Sequence, residues 1–179
     1  MRDRYGWTLI SLHWLTLLLI LAAYTLGTLL QDMPLSPTKL KLYAWHKWIG
    51  MLVLFLLPLR TLLRWRDGFD HRRDLRPWEA SLSGGVHAAL YVLMLLVPLF
   101  GWLHSSAAGF PVVWFGVLPL PDLVGKDKVL AEVFKELHGS AVNLLVILVV
   151  LHAAAALYHH YFRRDGVLAR MLPWLRRRT

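Results

Sequence analysis

The sequence predicts an all-α integral membrane protein: a four-transmembrane-helix antiparallel bundle with a short amphipathic helix in the outer loop between helices three and four. Three observations predict it. Of 179 residues, 57% are hydrophobic and only 17% charged, far from the balance of a water-soluble domain. Apolar runs fall at about 8–30, 42–63, 84–104 and 138–158, each near the roughly 20 residues that a helix needs to cross a hydrocarbon core about 30 Å thick. All fourteen arginines lie in or beside segments on the side of the amino terminus, and all six lysines on the other. With both termini cytoplasmic, that asymmetry is the positive-inside pattern.

The first run follows basic residues, as a secretory leader does, yet it extends well past the 7–15 residues of a leader core and no small-x-small cleavage site follows. It reads as a retained helix. Short connections around 31–41 and 64–83 suit antiparallel neighbours. The third connection, 105–137, is longer: it carries Phe110-Pro111-Val112-Val113-Trp114-Phe115-Gly116, then Val129, Leu130, Val133 and Leu137 at helical spacing. That spacing predicts an amphipathic helix at the outer interface, running into helix four. Pro58 and Pro98 fall late in helices two and three, where membrane helices tolerate a kink. Trp7, Trp14, Trp45, Trp48, Trp65, Trp102 and Trp174 cluster near helix ends as an interfacial belt, and Ala153–Ala156 allows close helix approach. The whole chain, 1–179, reads as one membrane domain.

Composition also excludes. Cysteine is absent, which removes disulfides, thiolate-held zinc or iron–sulfur centres and thioether-attached haem. The net charge of +9 follows from topology and from attraction to anionic lipid rather than from nucleic-acid binding. The predicted spans contain no acidic residue, which disfavours a carboxylate-rich di-iron site and a proton or metal transporter.

Nine histidines remain: His13, His46, His71, His87, His104, His138, His152, His159 and His160. Ionisable groups inside a membrane span are unfavourable there unless paired or liganded. His138 and His152 are 14 residues apart, hence about 21 Å along one helix and nearly on one face. Counting depth from each helix entry puts His46 level with His138 near the outer side, and His13 level with His152 near the inner side. Facing imidazoles at two depths fit two bis-histidine b-type haems. His87 stands at a depth where it competes with His13 as the inner ligand. His159 and His160, beside Tyr158 and Tyr161, read either as interfacial anchors or as a quinone contact, with His159 the candidate. His71 and His104 read as surface residues.

Ile10-Ser11-Leu12-His13-Trp14-Leu15, Leu137-His138-Gly139 with Asn143, and Leu151-His152 through Tyr158-His159-His160-Tyr161-Phe162 together resemble the bacterial cytochrome b561 family, most closely its superoxide-oxidising branch. That resemblance implies a four-helix, inner-membrane cytochrome with two haem b groups, oxidising superoxide on the periplasmic side and passing electrons to ubiquinone. Carried over, it implies His13 with His152 and His46 with His138 as ligands of the haem iron. Lys39, Lys41, Lys47, Lys126, Lys128 and Lys135 offer positive charge outside, though five carboxylates leave a net of only +1 there. Lys47 outside and Arg64 or Arg72 inside are candidate propionate partners. The competing reading is a haem b subunit that relays electrons between the quinone pool and a separate redox partner protein. The sequence leaves open a homodimer.

Overall fold

A computed structural model describes residues 5–68 and 75–175. His71 and Arg72, with the arginines at positions 2, 4, 73 and 176–178, lie outside the described residues. Four long helices make the frame: α1 (Trp7–Asp32), α2 (Pro37–Asp67), α3 (Pro77–Ala107) and α4 (Lys128–Tyr158). All four are long and apolar enough to cross a membrane. Their outer faces are apolar too, with Leu18, Ile147, Val150 and Leu151 more than half exposed, as a lipid-facing surface requires.

Local chemistry sets the helix ends. Ser36 caps α2 by accepting a bond from the Lys39 amide at 3.2 Å, with Pro37 at the first helical position and left-handed Gly68 closing the other end. α3 starts at Pro77, earlier than the apolar run, because Glu79 reaches back to the Arg76 amide at 3.0 Å. One acidic side chain therefore lies in the first turn of a spanning helix, where Arg163 bonds it at 2.6 Å.

The third connection differs from expectation. Asp127 caps α4 by accepting from the Val129 and Leu130 amides at 2.8 and 3.0 Å, and nothing after it breaks the helix. The amphipathic stretch expected to run into helix four is continuous with it and forms the first turns of α4. Ahead of it stands a β-hairpin, β1 (Val113–Trp114) with β2 (Leu118–Pro119). Its turn places Phe115 at φ 52° and Gly116 at φ 73°, both in the left-handed region. Phenylalanine is strained at such a φ. Aromatic packing holds it: Phe115 lies 4.9 Å from Trp114 and 5.4 Å from Trp48, and Phe55 meets Trp114 at 5.0 Å. Two reciprocal bonds lock the hairpin to α2, Trp48 Nε1 to the Val113 carbonyl at 2.7 Å and Trp114 Nε1 to the Trp48 carbonyl at 3.2 Å.

At the opposite end, called here the terminal end, α4 passes into a π turn (His159–Arg163) and two short 3₁₀ turns (Leu168–Arg170, Pro173–Leu175). The tail folds back on α1, where Trp14 Nε1 donates to the Met171 carbonyl at 2.9 Å and Met171 joins Tyr5, Leu9 and Ile10.

Packing is closest within α1–α2 and within α3–α4, so the bundle is two helical hairpins meeting along a seam. The core, Val53, Leu93, Met94, Ala141 and Leu145, fills mid-depth. Leu145 is seven residues from both His138 and His152, so this apolar plug separates two levels of histidine.

Candidate functional site

Two histidine pairs cross the seam. At the loop end, His46 of α2 and His138 of α4 have ring centres 6.1 Å apart. At the terminal end, His13 of α1 and His152 of α4 are 6.2 Å apart.

The loop-end pair is built by a repeated device. His46 Nδ1 donates to the Ala23 carbonyl at 2.9 Å, and a Cβ on Gly27 would come within 3.2 Å of the His46 ring. His138 Nδ1 donates to the Val97 carbonyl at 2.8 Å, and a Cβ on Gly101 would come within 3.1 Å of its ring. In each hairpin, one helix lays an imidazole on a glycine of its neighbour and anchors it to the carbonyl four residues earlier. A proton held on Nδ1 leaves the Nε2 lone pair for a ligand bond, the usual orientation of a metal-binding histidine.

The terminal-end site has three imidazoles. His87 of α3 also meets His152, edge to face at 5.2 Å, and its Nδ1 is 2.7 Å from the Ser83 carbonyl. His13 Nδ1 instead faces the Arg60 guanidinium at 3.0 Å. Arg60 also bonds the Tyr91 hydroxyl at 3.2 Å and lies over its ring. A guanidinium only donates, so here His13 Nδ1 accepts.

An imidazole nitrogen binds a metal at about 2.0 Å and lies about 1.2 Å from its ring centre, so two imidazoles on opposite sides of one metal have centres about 6.4 Å apart. Both seam-crossing pairs fit that spacing. His87 and His152 are too close. Each of the two couples could hold the iron of a cofactor lodged between apolar helices.

Other expected residues sit as follows. His159 bonds Asp165 at 2.5 Å, and His160 packs on Tyr161. His104, expected at the surface, is part-buried and donates to the Ala131 carbonyl at 2.9 Å, because the early start of α4 brings that carbonyl beside α3. Lys47 donates to the Phe110 carbonyl at 3.0 Å, and Arg64 lies over the Tyr5 ring. Of the outer lysines, Lys39 bonds the Met33 carbonyl, Lys41 lies over Trp45 and Lys135 pairs with Glu132. Sequence reasoning missed Gly27, Gly101, Arg60 and Asp165. The first two interrupt apolar helical runs and Arg60 is a charge within one, and those are the signals that mark them.

Comparison with known proteins gives the family. The family model of the prokaryotic cytochrome b561 matches residues 4–174. Cytochrome b561 homolog 2 of Escherichia coli (strain K12) is 29% identical, over 95% of this chain and 92% of the relative. Cytochrome b561 homolog 1 of the same organism is 30% identical, over 96% and 98%. A probable superoxide oxidase CybB of Yersinia pestis is 29% identical, over 97% and 98%. A family match over nearly the whole chain, on a four-helix membrane bundle, identifies this multi-pass bacterial membrane protein as a b-type haem electron-transfer protein of the prokaryotic cytochrome b561 family.

Proposed function

We propose that the chain is a superoxide:quinone oxidoreductase with two haem b groups, one held by His46 and His138 and the other by His13 and His152. The loop end faces the periplasm and both termini the cytoplasm, in accord with the arginine–lysine asymmetry. The observation that carries the reading is the pair of imidazole couples, 6.1 and 6.2 Å apart, crossing one seam at two depths. Haem iron supplies one-electron acceptance and donation at each level. The likeness to the probable superoxide oxidase of Yersinia pestis supports the choice of donor.

The protein's own groups do the rest. Gly27 and Gly101 let the imidazoles approach, and the Ala23 and Val97 carbonyls fix their tautomers. Ligation through His13 Nε2 needs the proton on Nδ1, so Arg60 would then give up its bond to His13 while keeping its charge beside the site. The apolar plug keeps water from mid-bundle. His159, at the cytoplasmic end, contacts the quinone. Two superoxide ions, one ubiquinone and two protons give two dioxygen molecules and one ubiquinol.

The test is to determine haem b per purified chain, then expose the oxidised protein to a superoxide flux with and without ubiquinone. Two haems per chain, reduced faster than in controls and reoxidised by quinone, are expected. A second reading, a relay subunit serving a partner protein, draws on the apolar loop end, where Phe110, Phe115 and Val117 are 64, 54 and 83% exposed. Under it, the haems ignore superoxide yet equilibrate with quinol.

A further inference from the structure

His159 and Asp165 form a built pair. Six residues separate them, and they meet because the chain doubles back: Arg164 is left-handed at φ 53° and Gly166 follows at φ 74°. Asp165 Oδ2 lies 2.5 Å from His159 Nδ1, while its Oδ1 accepts from the Val167 amide at 3.2 Å. Both side chains are largely buried, 14 and 15% exposed. With both oxygens engaged, the carboxylate is fixed in rotation, and it holds the His159 proton on Nδ1. Only Nε2 is left for another partner. A buried imidazole with a carboxylate behind it is suited to proton transfer, because the carboxylate sets the tautomer and stabilises the imidazolium.

The surroundings point to a lipophilic partner. Tyr158 packs edge-on against His159 at 6.0 Å and stacks on Phe162 at 5.4 Å, and these two rings are 53 and 77% exposed on the outside of the bundle. A ligand carried in the bilayer would reach the pair past an apolar aromatic face.

We infer that Asp165 is the positioning residue of a His159–Asp165 proton-transfer pair, in which His159 delivers protons to a quinone oxygen through Nε2. The inference rests on the quinone reading of His159. Reduction to quinol takes two electrons, those released by two superoxide ions, and two protons, which His159 takes from cytoplasmic water and hands over in turn.

The experiment uses full-length, haem-loaded protein reduced with dithionite and mixed with a short-chain ubiquinone, following haem reoxidation in H₂O and D₂O. Affinity for a non-reducible quinone analogue is measured alongside. Asp165→Asn should lower the maximal reoxidation rate at least about tenfold and raise the solvent isotope effect, while KM and analogue affinity stay within about twofold. His159→Ala should be at least as slow, and the double variant no slower than His159→Ala, as for residues acting as one unit. Where Asp165→Asn does not load haem, Asp165→Glu decides: a slowed rate at full haem content supports the pair, an unchanged rate overturns it. A normal rate and isotope effect in Asp165→Asn, beside a slow His159→Ala, overturns the pair and leaves the quinone contact standing. If His159→Ala is also unchanged, the quinone contact itself falls.

Discussion

His46 and His138 face each other across the seam with ring centres 6.1 Å apart, each seated on a glycine and tied by Nδ1 to a carbonyl of its own hairpin. Half of the loop-end site is thus made within α1–α2 and half within α3–α4, and neither half depends on the other for its orientation.

The glycines are accordingly the sensitive positions. Gly27→Ala and Gly101→Ala would each push a Cβ to within 3.2 or 3.1 Å of an imidazole, displacing the ring against a bonded carbonyl. Haem content should fall from about two per chain toward one, read by haemochrome absorbance. Gly125→Ala, where a Cβ meets nothing within 4 Å, should retain both.

Single-ligand variants separate the two levels. His138→Ala should lose the loop-end haem and spare the other, and His152→Ala the reverse, read by the two haems' spectral components. The contest between His13 and His87 is decided in the same way: His13→Ala should lose the terminal-end haem and His87→Ala keep it. The opposite pattern would make His87 the ligand.

Arg60 places a positive charge 3.0 Å from His13. A positive charge beside a redox centre stabilises its reduced form, and at an effective dielectric constant of about 20 the effect is on the order of a few kcal/mol or less. Removing it destabilises the reduced state, so Arg60→Met should lower the potential of the terminal-end haem by several tens of millivolts and leave the other in place. Spectroelectrochemical titration reads both.

The Trp48–Trp114 exchange of indole bonds holds the hairpin. Trp48→Phe and Trp114→Phe should each cost about 1 kcal/mol, seen as a lower midpoint for protease cleavage in the 110–126 connection. The double variant should cost less than the two together, because both bonds anchor one element.

How much of this was legible follows from the kind of signal each residue gives. Helix existence was legible because lipid demands long apolar runs. The depths of His13, His46, His138 and His152 were legible because helical rise is constant. Helix ends were less so: Ser36, Asp127 and Glu79 extend the helices beyond the apolar runs through caps, which hydropathy does not register. The hairpin was hidden because Phe115 is a poor turn former and its conformation depends on Trp48, far along the chain. Arg60 and Asp165 were hidden for a related reason, since each takes its meaning from a partner that only the fold supplies.

The seam has a consequence for biogenesis. A chain inserted into a bilayer as α1–α2 and then α3–α4 completes, in each insertion, one oriented half of the loop-end site. Closure of the two halves is then a separate, later event, and a cofactor that binds both is the natural clasp. Newly made protein starved of haem should therefore persist as two inserted hairpins, open along the seam and ready to be recognised by membrane proteases.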